Sequence, residues 1–147
     1  MSRGLEAYAE EGKTEGLELL RDGRAAQGIA TFSRPISTEE LAELERAGLQ
    51  ILFVEAIATG PGPRVTVGSS YSATLAEDLA GLVALQDATL DGVTSATVVV
   101  HSAGLYRELS QDARVYLIDL SIEAARRADP DVDVVMNDLY WVLMGWE

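Results

Sequence analysis

Two stretches of the sequence read strand, helix, strand within the length of one short crossover: "GIATFSRPISTEELAELERAGLQILFVEAIA" from Gly28 to Ala58, and "VTSATVVVHSAGLYRELSQDARVYLIDLSI" from Val93 to Ile122. Each strand and each helix of such a unit has an apolar side that must be covered, and two units cover one another when their strands join one sheet under their helices. The expected class is therefore α+β: a ferredoxin-like βαβ-βαβ antiparallel sheet backed by helices, occupying residues 28–122. The segment from Thr59 to Gly92 is extra to that plan. Within it "RVTVG" at 64–68 predicts a short strand, and "ATLAEDLAGLVAL" places leucines at 75, 79 and 82 on one helical face. Residues 1–27 predict an N-terminal helical tail, with Asp22-Gly23 as its stop. Residues 123–147 predict an acidic linker followed by a C-terminal aromatic helix.

The clearest local signal lies in "ISTEELAELERAGL". Ser37 and Glu40 have capping-box spacing, Ile36 and Leu41 stand where a hydrophobic staple needs them, and Gly48 can take the left-handed conformation that ends a helix. These predict a helix over about 38–47, with Leu41 and Leu44 inward. "LQILFVEAIA" is apolar on both faces apart from Gln50 and Glu55, which predicts a strand inside the sheet. Pro35 is expected to end the strand before the first helix, and Asp91-Gly92 to turn the chain into the second unit. Phe32, Phe53, Val98 and Ile118 are the expected shared core, and Leu105 and Leu109 the inward side of the second helix.

Length and composition restrict function more than they specify it. The 147 residues are 48% hydrophobic and 24% charged, enough for one core, and the net charge of −13 repels phosphate backbones and anionic lipid surfaces. Nucleic acid and membrane insertion by this chain are thereby disfavoured. There is no cysteine, so neither a disulfide nor a thiolate metal site is available. No stretch approaches the ~20 apolar residues that span a bilayer. The compartment stays open between the cytoplasm and an extracytoplasmic part of a longer protein.

No residue set carries a catalytic signature. His101 is the sole histidine and has neither an orienting carboxylate nor a nucleophile nearby in sequence. Asp129, Asp131 and Asp133 begin like a calcium loop, but Val134 stands where the bend needs glycine and Tyr140 where the closing glutamate belongs. The prolines of "TGPGPRVTVGSS" remove backbone donors that a phosphate loop would use, so a hairpin turn is expected. No catalytic residue, cofactor or metal site is therefore assigned. The densest aromatic and thioether cluster lies at the end of the chain, where Tyr140, Trp141, Met144 and Trp146 are the candidate partner-binding residues, because such side chains concentrate binding energy at interfaces.

"SATVVVHSAGLYRELSQDARVYLIDLS" resembles the second half of a peptidase inhibitor I9 domain, the propeptide fold of subtilisin-like proteases: Leu105 and Leu109 on the helix, Asp112 and Val115 at the step, and Tyr116 to Leu120 as the final strand. "GIATFSRPISTEELAELERAGLQILFVEA" is similar to the family's opening strand and helix. The chain departs from the family at Thr59 to Gly92 and at its aromatic end, where the family's inhibitory tail would be. The resemblance implies a propeptide-like fold and a protein-binding use of the sheet. The functional expectation is a non-catalytic protein-interaction or sensory module, either free-standing or the soluble part of a cell-envelope protein, that binds a protein partner or itself. The alternative is a small-ligand-binding or enzymatic ferredoxin-like domain using a cleft beside the inserted segment.

Overall fold

The computed structural model describes residues 2–128, the side chains at 2–6, 8, 9 and 15 excepted. Five helices and five strands follow one another: α1 (Ser2–Leu19) and a 3₁₀ turn (Leu20–Asp22), β1 (Ala26–Ile36), α2 (Thr38–Arg46), β2 (Gln50–Thr59), β3 (Val65–Ser70), α3 (Leu75–Ala84), β4 (Thr89–Val100), α4 (Ala103–Ser110), β5 (Val115–Asp119) and α5 (Ser121–Ala128). The strands form one sheet in the order β3-β2-β4-β1-β5, each neighbouring pair antiparallel. The chain is thus α+β, as expected. The strands of the two strand–helix–strand units interleave, and the inserted segment supplies α3 and the edge strand β3.

One face of the sheet carries the core. Leu41 and Leu44 of α2, Leu75 and Leu79 of α3, and Tyr106 and Leu109 of α4 join Ala30, Phe32, Val54, Ala56, Val98 and Ile118 in a single buried cluster. Local chemistry sets α2 as the sequence predicts. The Ser37 Oγ accepts the Glu40 N–H at 3.0 Å and the Glu40 carboxylate accepts the Ser37 N–H at 3.2 Å. At the other end the Gly48 N–H donates to the Glu45 carbonyl, and the Gly48 φ of 122° turns the chain so that the Leu49 N–H reaches back to the Leu44 carbonyl.

Four expectations are corrected. Phe53 does not join the core and is 38% exposed. The β2–β4 register shifts between Ile51 and Phe53, so Leu52 is an extra residue; Ile51 and Val54 face the core, and Phe53 turns to the opposite face. Pro35 does not end β1, because pairing with β4 lapses between Thr31 and Ile36, where a missing N–H removes no ladder bond. Asp91-Gly92 is not a turn. Both residues lie within β4, and a Cβ on Gly92, whose φ is 147°, would strike the Ile36 carbonyl and Pro35. Residues 123–128 belong to α5 rather than to a linker. The Arg127 guanidinium fastens that helix to the carbonyls of Leu19 at 3.1 Å and Ala25 at 3.0 Å, and Ile122 is buried.

The N-terminal helix is packed on the domain rather than trailing from it as a tail. It packs against β5, α4 and α5. Tyr106, fully buried, donates its hydroxyl hydrogen to the Ile118 carbonyl at 2.9 Å and lies 3.3 Å from that of Gly12. Burial pushes the Tyr106 phenol well above its ordinary range, so it stays a donor at any physiological pH.

Candidate interaction edge

The two ends of the sheet differ. At one, β5 is covered by α1. At the other, β3 pairs only with β2 among the described strands, and its sequence, "VTVGSS", holds none of the charges or prolines that commonly guard an edge. The uncharged run extends from Val65 to Ala76 in a chain that is 24% charged.

The pairing shows which backbone groups of β3 are not used by β2; among these the Ser70 carbonyl accepts the Ser69 hydroxyl at 3.2 Å with one of its two lone pairs. The Tyr71 N–H donates to the Leu52 carbonyl at 3.0 Å, and the β2–β3 register continues without a shift from Phe53 opposite Ser70 to Ala58 opposite Val65. Bonded and non-bonded pairs alternate along an antiparallel ladder. Val65, Val67 and Ser69 therefore bond to β2, and the N–H and C=O groups of Thr66, Gly68 and Ser70 are directed outward. The same three residues are exposed along the strand.

Side chains from β2 border this edge. Leu52 and Phe53 are two of the three exposed large hydrophobic residues among those described, at 39% and 38%. The Phe53 ring lies over Gly68, since a Cβ built there would come within 2.7 Å of its Cζ. An aromatic from the neighbouring strand thus fills the space that the glycine leaves. Opposite Gly68 stands Glu55, whose carboxyl is raised above its ordinary value by burial.

Glu55 and Glu40 predict opposite pH effects. A raised carboxyl binds its proton more tightly folded than unfolded, so the contribution of Glu55 is fully present below about pH 4.5 and is lost as pH rises through its folded value. Glu40 is held down to about 2, first by the Arg34 guanidinium and then by the Ser37 N–H. Its contribution is present above about pH 4.5 and is lost as pH falls towards 2. Glu55→Gln is expected to raise the melting temperature at pH 7 and to match the parent near pH 4; Glu40→Gln is expected to lower it at pH 7, with the gap closing near pH 2. Melts across that range check both.

The remaining sites offer less chemistry. His101 is exposed, and its Nε2 lies 2.7 Å from the Gln50 Oε1. Among the described residues no three His, Asp or Glu side chains are placed to hold a metal ion. Two open hollows, of about 200 and 250 Å³, lie where α2 meets the inserted segment, one lined by Ser37, Asp91 and Gly92 and the other by Glu39, Tyr71 and Ser72. Both are smaller than the ~300 Å³ at which pockets begin to enclose a small ligand. No helix among the described residues is long and apolar enough to cross a membrane. Tyr140, Trp141, Met144 and Trp146, and the aspartates at 129, 131 and 133, lie outside the described residues. Sequence reasoning missed the edge itself; the signal available for it was the uncharged run from Val65. No protein-family model, curated protein or solved structure matches the chain.

Proposed function

We propose that this chain is a non-catalytic protein-interaction module of ferredoxin-like form, and that it takes up an extended segment of another protein molecule along β3. The observation that carries this reading is an uncharged edge strand with three outward pairs of backbone groups, flanked by the exposed Leu52 and Phe53. Strand addition of this kind draws affinity from main-chain hydrogen bonds and selectivity from alternate side chains, and both are on offer at β3. The resemblance to I9 propeptide domains points the same way, since it implies a protein-binding use of the sheet.

A phage-displayed library of random linear peptides, selected on the immobilised chain and on its Thr66→Pro variant, tests the proposal. The Thr66 N–H faces away from β2, so proline there removes a donor from the edge and leaves the β2–β3 ladder intact. Enriched peptides with alternating apolar residues that bind the parent and not the variant are the expected result. No enrichment, or binding indifferent to Thr66→Pro, would overturn it.

A further inference from the structure

We infer that the segment taken up at β3 is the β3 strand of a second copy, paired antiparallel about a two-fold axis at Gly68; this rests on the reading of β3 as an interaction edge. An axis perpendicular to the sheet keeps each face on its own side, so residues opposite one another must differ by an even number of positions. Placing Gly68 opposite Gly68 of the second copy sets Thr66 opposite Ser70. All three residues with outward backbone groups then form hydrogen-bonded pairs.

Two features of the edge suit a copy of itself. The first is charge: each chain carries −13, yet β3 and the residues after it to Ala76 carry none, so two copies meet there without opposed like charges. The second is the glycine at the axis. Paired residues of this type have Cα atoms about 5.5 Å apart, and the Phe53 ring of each copy already lies over its own Gly68. The two rings would meet across the glycine pair, on the face opposite the core, in the offset or edge-on contact that aromatic pairs favour. A bulky residue at 68 would keep them apart.

Sedimentation of the whole chain over a dilution series tests the inference, with thermal melts confirming that each variant folds. The parent is expected to show a reversible monomer–dimer equilibrium that tightens with added salt, because the two copies repel at long range. Thr66→Pro and Phe53→Ser are each expected to weaken it at least tenfold. Should Thr66→Pro fail to fold, Phe53→Ser decides, since a side chain so exposed is not needed for the core. A parent that sediments as a monomer at every concentration would overturn the inference, as would a dimer unaffected by both substitutions. If the parent is monomeric yet retains library peptides through β3, only self-pairing falls. If it does neither, the interaction edge falls with it.

Discussion

Tyr106→Ala is expected to lower the stability of the folded chain by about 3 to 5 kcal/mol, the range for truncating a large buried aromatic. Tyr106 is fully buried in the main cluster and joins three elements: α4, which carries it, β5 through the Ile118 carbonyl, and α1 through Gly12. It also fills the place beside Gly16, where a Cβ would stand 2.5 Å from the ring. Removing the side chain therefore opens a cavity and loosens α1 from the edge it covers. Tyr106→Phe keeps the volume and loses only the hydroxyl, so about 0.5 to 1.5 kcal/mol is expected. Denaturant melts of the two variants measure both, and amide exchange in α1 should quicken in Tyr106→Ala first. An alanine variant within 1 kcal/mol of the parent would mean that α1 and α4 are not held through this residue.

Gly28→Ala is the second large effect, with an expected loss of about 3 kcal/mol, near the top of the range for overpacking. Gly28 lies in β1, and a Cβ there would fall on the Asp119 carbonyl oxygen and within 2.6 Å of a Leu120 methyl. The oxygen is backbone in β5, beside the Ile29–Asp119 pair, and cannot withdraw without unpairing the strand. Restricting the unfolded chain returns only about 0.4 to 1 kcal/mol, so the clash wins. Gly62, with open space where its Cβ would be, supplies the control, and Gly62→Ala should leave the melt unchanged or slightly raised. Equal melts for the two variants would contradict the β1–β5 packing.

What the sequence discloses and what it hides follow from the range of the interactions. The ends of α2 are legible because Ser37, Glu40 and Gly48 act on backbone groups within five residues. The Asp112–Val115 step is equally local: the Asp112 side chain accepts the Arg114 N–H at 2.9 Å, and its carbonyl accepts the Val115 N–H at 3.0 Å. Phe53 was not legible, because an extra residue at Leu52 changes which face the rest of β2 presents, and nothing local marks that bulge. Gly92 misleads for a related reason: a positive φ serves turns and bulges alike, and the choice depends on Pro35 and Ile36, more than fifty positions away. The candidate edge is intermediate. An uncharged run is visible in the sequence, but only the strand order puts it at the end of the sheet.

The central claim is that β3 is a pairing edge whose partner is β3 of a second copy, and the absence of native cysteine allows its register to be measured directly. In that register residues 66 and 70 of the two chains lie about 5.5 Å apart between Cα atoms, within the range that a disulfide bridges. The account predicts that Thr66→Cys mixed with Ser70→Cys forms a covalent dimer under mild oxidation, and that each variant alone forms far less. Equal cross-linking in the mixture and in either variant alone, or none in any, would contradict it.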